Sequence, residues 1–129
     1  MQIFHGRENS AKSESRGPTF TGQVWADPVM PSMGGVMINN VFFTPGARTY
    51  WHAHAQGQIL QVTAGKGWIC VAGQQAQPIR AGDTVWIPAD ERHWHGAAAD
   101  SYLIHTAISL GKTDWQDEVV EADYAGATA

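Results

Sequence analysis

An all-β barrel or sandwich is the fold this sequence predicts, and three observations carry it. Short runs rich in β-branched and aromatic residues recur from Thr21 to Ile108. Gly, Pro, Asn and Asp punctuate them at close intervals. Helical signals are confined to the last residues. A chain of 129 residues makes one domain, able to bury roughly two-thirds of its unfolded surface around a single core.

The elements follow in order. Residues 6–19 are polar and small without periodicity, so 1–20 reads as an N-terminal arm that drapes over the body or over a partner. Strands are expected at 21–27, 36–43, 49–54, 58–63, 67–72, 83–88 and 102–108, giving a barrel over 21–110. Turns fall at Pro45-Gly46, Gly65-Lys66-Gly67, Gly73-Gln74 and Ala81-Gly82-Asp83. In the tail, 111–129, Thr113 to Gln116 has capping-box spacing ahead of an acidic stretch. That leaves a turn of helix and an irregular tail both open.

Composition limits the function. A net charge of -4 with only 8 Lys+Arg lacks the basic footprint that nucleic acid or an anionic membrane requires. No apolar run approaches 18 residues and no basic-then-apolar leader is present, so a cytoplasmic protein is expected. Charged residues are 16%, below the roughly 25% of average soluble proteins, and there are six tryptophans. These features, with exposed strand edges, predict a homodimer or higher homo-oligomer. Cys70 stands alone and reads as a small core hydrophobe.

Of six histidines, His5 lies near the terminus, while His52, His54, His93, His95 and His105 fall on expected strands. His52 and His54 are one residue apart, so on a strand both imidazoles face one side. Convergence of several imidazoles from different strands is what a transition-metal site needs. His105, Ala107 and Ser109 share one strand face. If that face is inward, His105 is a candidate general base or acid, or else a histidine satisfied by backbone groups. His95 is expected at the rim or supporting a neighbour. Other catalytic patterns fail: Thr106 stands where a phosphate loop ending in Gly111-Lys112-Thr113 would need its first glycine, and no G-x-S-x-G occurs.

From Gly46 to Gly65 the chain reads G-x5-H-x-H-x3-Q-x6-G, and from Gly82 to His93 it reads G-x5-P-x-D-x2-H. These strongly resemble the two motifs of the cupin superfamily, over residues 36–108. The resemblance implies a small antiparallel barrel with a metal inside, held by His52, His54, Gln58 and His93. Three positions depart from the family pattern: Gln58 replaces Glu, Asp90 replaces Gly and Ala97 replaces Asn. A carboxamide is a neutral donor, so with three imidazoles it leaves the ion its full charge and makes it a stronger electrophile. The other possibility is that Gln58 hydrogen-bonds a neighbour beside a three-histidine site.

The runs P-G-A-R-T-x-W-H-x-H-x-x-G-Q, G-D-x-V-W and H-W-H-G-A, followed by His105, are similar to those of small bacterial cupins that include manganese-dependent hydroxynitrile lyases. The resemblance implies one divalent ion, manganese foremost with iron, nickel and zinc open. It also implies His105 as base with Thr49 steadying the substrate oxygen. Asn39, Val41, Phe43, Leu60 and Ser109, with Trp51 near, are the expected pocket walls for a small-molecule substrate. A metal-dependent dioxygenase, an isomerase or decarboxylase on a small carbonyl compound, and a non-catalytic ligand-binding cupin are the competing readings. The metal's affinity is expected to fall below about pH 6, where a free imidazole protonates.

Overall fold

In the computed structural model, which describes residues 1–6, 8 and 12–129, the chain is a curled antiparallel barrel of twelve strands and one helix. The arm contributes β1 (Glu14–Ser15) and, with the residue after it, β2 (Phe20–Thr21). Part of the stretch read as irregular is therefore paired, while positions 7 and 9–11 lie outside the described residues. Then come β3 (Val24–Met33), β4 (Val36–Phe43), β5 (Arg48–Thr49) and β6 (His52–His54). They are followed by β7 (Gln58–Val71), β8 (Gln77–Arg80), β9 (Thr84–Ile87) and β10 (His93–Ala97). β11 (Leu103–Leu110), β12 (Thr113–Trp115) and α1 (Glu121–Ala127) complete the chain.

One sheet, here sheet A, runs β1-β3-β4-β11-β7-β9; the other, sheet B, contains β2, β5, β10, β8, β6, β12 and the second half of β7. The expected turn at Gly65-Lys66-Gly67 is absent, and the two strands predicted on either side of it are the single strand β7. The glycines let one strand change sheets without stopping. Gly65 has φ +75°, and a Cβ there would strike the Tyr102 carbonyl, as one on Gly67 would strike the Gly96 carbonyl. The residues signal tight approach of neighbouring strands, not reversal.

Two further readings are corrected. The strand expected at 49–54 is split into β5 and β6, which pair with different stretches of β10. Thr113 caps no helix: Thr113–Trp115 is an edge strand on β6, and α1 begins at Glu121 after Val120. Pairing with β6 gives these backbone groups partners that an isolated helical turn would not. The sequence offered little sign of β8, whose Pro78 sits on a strand paired only with β7.

Alternation decides what faces inward. Along β11, Leu103, His105, Ala107 and Ser109 are buried, while Ile104, Thr106, Ile108 and Leu110 are only half-buried. Val24, Phe43, Leu60, Val62, Ile87 and Leu103 are among the residues of an apolar core inside the barrel. The polar cluster described below occupies the rest of the interior. Outside sheet B a second apolar cluster joins Cys70 and Trp94 to Val119 and Tyr124 of the tail. Among the described residues no helix is long and apolar enough to cross a membrane.

Candidate metal centre

The five strand histidines are all buried inside the barrel, each no more than 3% exposed. His52 and His93 are direct register partners across β6 and β10, with ring centroids 4.2 Å apart. His54 lies 5.0 Å from His52 and 5.6 Å from His93 by the same measure. Ring nitrogens of His52, His93 and His95 come within 4.8 Å of one another, a group able to hold a metal ion.

Each inward ring is held from behind. His52 Nδ1 donates to the Tyr50 carbonyl and His93 Nδ1 to the Glu91 carbonyl, both at 2.8 Å and both two residues back along the chain. His54 Nδ1 shares a hydrogen bond of 3.0 Å with Thr113 Oγ1, its cross-strand neighbour. Gln58 Nε2 donates to Ser109 Oγ at 3.0 Å, again directly across the ladder. The two carbonyl bonds fix the tautomers of His52 and His93, and all four bonds fix orientation, as the supports of metal-binding residues do.

The donor set fits a cation. A histidine whose Nδ1–H is given to a carbonyl presents a lone pair at Nε2. His93 Nε2 then faces Gln58 Oε1 at 3.2 Å, with no proton on either atom. Two acceptors held this close in a buried site are reconciled by a positive ion between them. His54 Nε2 is likewise buried without a hydrogen-bond partner.

Burial keeps the cluster neutral. Desolvation, with the His93 charge next, holds His52 well below its ordinary range, and the same two causes bring His54 to about 4. Burial also lowers His93, sets His95 well down with help from His105, and brings His105 to about 4. Neutral imidazole is the form that coordinates. The competition with protons expected near pH 6 is thus displaced to lower pH.

The same shifts govern stability. In the unfolded chain these histidines take up protons near pH 6.5, whereas in the fold burial holds all five lower, and His54 and His105 stay neutral until about pH 4. As pH falls through that window the unfolded state alone gains protons, and stability is lost. Protein stripped with a chelator should show its urea midpoint falling steadily from pH 7 to pH 4. His54 and His105 each contribute on the order of 3 kcal/mol at about 1.4 kcal/mol per pH unit. A midpoint flat over that range would contradict the neutral buried cluster.

His95, placed by the sequence at the rim or in support, is neither at the rim nor exposed. Its Nδ1 lies 2.9 Å from His105 Nε2, and its backbone N–H donates to Thr49 Oγ1 at 3.2 Å. His95 Nε2 and His105 Nδ1 are buried without hydrogen-bond partners. The signal that could have found His95 was available: it alternates with His93, so the two must share a face.

A cavity of about 270 Å³ opens onto this cluster. Asn39, Val41, Phe43 and Ser109 line it together with Thr49, His52, His54, Gln58, His95 and His105. Leu60 does not; it is fully buried in the apolar core, beyond the cavity wall. Trp51 packs in the outer cluster of sheet B beneath Arg92. Phe20, Met37 and Trp115, which the sequence did not single out, are part of the lining, and Trp115 lies 4.5 Å from the His52 ring. Phe20 and Trp115 come from β2 and β12, short strands without an alternating pattern, whereas Met37 alternates with Asn39, Val41 and Phe43 along β4, a signal the sequence did carry.

Asp90, the non-glycine at the family's glycine position, has φ 60°. Aspartate tolerates this left-handed conformation better than most side chains. Its backbone N–H donates to the His54 carbonyl at 2.9 Å, so the substitution preserves the turn that delivers His93.

Comparison with known proteins bears on these features. Residues 40–108 match the cupin domain family. The chain is 40% identical over 122 residues to an (R)-mandelonitrile lyase of Granulicella tundricola, covering 88% of this chain and 93% of that protein. A cupin-like protein of Thermotoga maritima superposes with a TM-score of 0.85 at 39% identity, over 94% of this chain and 98% of the other. The polyketide cyclase RemF of Streptomyces resistomycificus superposes at 0.72 with 16% identity, over 96% and 90%, a likeness of fold alone.

Proposed function

The chain belongs to the cupin family, and from that premise we propose that it is a metal-dependent lyase of hydroxynitrile-lyase type, cleaving a cyanohydrin to an aldehyde or ketone and hydrogen cyanide. The observation that carries the reading is the pairing of His105 with His95 inside a cavity that also holds the neutral donor set. A merely structural metal site does not require an unliganded imidazole pair facing the same space. Identity to a protein named as a mandelonitrile lyase supports the substrate class.

His52, His54, Gln58 and His93 would hold the ion, manganese foremost. His95 is left outside the set because its Nδ1 is engaged by His105, whereas the Nδ1 of His52, His54 and His93 is anchored away from the cluster. A divalent ion bound by these neutral groups supplies Lewis acidity toward the hydroxyl or nitrile of the substrate.

The remaining work falls to the chain. His105 takes the hydroxyl proton, and the 2.9 Å contact lets His95 share it. As the oxygen lone pair forms the carbonyl, the C–C bond breaks and its electron pair leaves with cyanide. Cyanide then recovers the proton from the histidine pair and departs as hydrogen cyanide. Thr49 Oγ1 accepts from the His95 backbone, which leaves the hydroxyl proton for a substrate oxygen. Val41, Phe43 and Ala107 offer an apolar wall for the organic group.

The test is mandelonitrile cleavage by protein loaded separately with manganese, iron and zinc. Release of benzaldehyde and cyanide above the metal-only rate is expected. No cleavage with any of the three would overturn the lyase reading and favour oxygen-dependent or binding functions.

A further inference from the structure

The N-terminal arm crosses the mouth of the cavity and brings a charge to it. β1 pairs with β3 in sheet A and β2 with β5 in sheet B, so the residues between them pass from one sheet to the other. Backbone hydrogen bonds hold the crossing at both ends: Arg16 N–H donates to the Val24 carbonyl and Tyr50 N–H to the Thr19 carbonyl, each at 2.8 Å. Arg16, Thr19 and Phe20 of this strap all line the cavity.

Exposure grades the lining from floor to mouth. His52, His95 and His105 are at most 3% exposed, whereas the Arg16 side chain, Met37 and Trp115 are 32%, 36% and 39% exposed. Aromatic rings connect the two levels. Phe43 lies 5.2 Å from His105 and 6.3 Å from Phe20, and Phe20 lies 5.5 Å from Trp115, between ring centroids.

Among the described residues of the lining, Arg16 alone carries a fixed charge, and none is Asp or Glu. Its guanidinium is paired with Glu14 at 3.6 Å, on a side chain 54% exposed. A surface pair of that length contributes little, and a guanidinium has five N–H groups to offer. On a chain of net charge -4 the mouth is thus locally cationic.

We propose that Arg16 is a specificity residue, and that the site takes aromatic cyanohydrins and their aldehydes whose ring carries a carboxylate. The proposal deepens the lyase reading and rests on it for the reacting group. The reacting carbon lies at the histidine floor, the ring runs along Phe43 and Phe20, and the carboxylate reaches Arg16 at the mouth. A planar guanidinium meets a carboxylate through two parallel charge-assisted hydrogen bonds, which an unsubstituted ring does not make. The cavity, about 270 Å³, is at the small end of ligand pockets and suits one ring with a short substituent.

The test uses manganese-loaded protein and two pairs of probes: 4-carboxymandelonitrile against mandelonitrile for turnover, and 4-formylbenzoate against benzaldehyde for binding by calorimetry. In each pair the carboxylated member should be favoured about tenfold, in kcat/KM and in Kd, the low end for hydrogen bonds to charged groups because the site is partly exposed. Both preferences should shrink as salt rises from about 0.05 to about 0.5 M. Arg16→Gln should bring both ratios to about one, and Arg16→Lys, which keeps the charge without the planar fork, should retain part of them. Equal handling of the paired probes by the unaltered protein would overturn the proposal. A preference that survives in Arg16→Gln would also overturn it, and would put the carboxylate on the metal centre. If no cyanohydrin is cleaved but 4-formylbenzoate keeps an Arg16-dependent advantage, the lyase reading falls and the anion site stands. If mandelonitrile is cleaved and neither carboxylated probe is preferred, the anion site falls alone.

Discussion

His54→Ala should purify without stoichiometric metal, and His95→Ala should retain it. Distances alone favour the opposite assignment, because the ring nitrogens closest together belong to His52, His93 and His95. The supporting bonds argue for His54. Both residues have an engaged Nδ1 and a buried Nε2 with no partner, but the Nδ1 of His54 is tied to Thr113 behind the ring, whereas that of His95 is held by His105, a second imidazole inside the cavity. Removing a ligand costs most of the metal's affinity; removing a residue beside the site spares it. Elemental analysis of both variants, purified without an immobilised-metal column, decides the matter. Retained metal in His54→Ala and lost metal in His95→Ala would replace the proposed set with the three-histidine one.

His105→Ala should keep its metal and lower mandelonitrile turnover about 10²–10⁴-fold, the usual worth of a positioned general base. Burial beside Phe43 brings His105 to about 4, so the imidazole is already the free base well below neutrality. Turnover by the unaltered protein should therefore rise as pH climbs through about 4 and stay level from pH 5.5 to 7. A free imidazole would place the rise near pH 6.5. The His105 contribution to the acid limb should disappear in the variant. Full activity in His105→Ala would place the base elsewhere, and loss of metal would make the residue a ligand or the support of one.

The sequence by itself determined the all-β class, most of the strands and the residues at the centre. Period-two spacing put His52 with His54 on one side of a strand, as it did His105, Ala107 and Ser109, and the glycine and histidine spacings identified the family. All of this is local, set by alternation along one strand. What only the tertiary structure decided is pairing between distant strands. Gly65 and Gly67 look like a turn until the carbonyls of Tyr102 and Gly96 are seen against them. Thr113 looks like a helix cap until β6 lies beside it and His54 takes its hydroxyl. Leu60 and Asn39 both point into the barrel, yet only Asn39 reaches the cavity, because Leu60 is closed over by apolar neighbours. His95 becomes the partner of His105 only when β10 and β11 flank β7. Backbone hydrogen bonds between strands far apart in sequence set those neighbours, and no pattern within one strand encodes which distant strand will supply them.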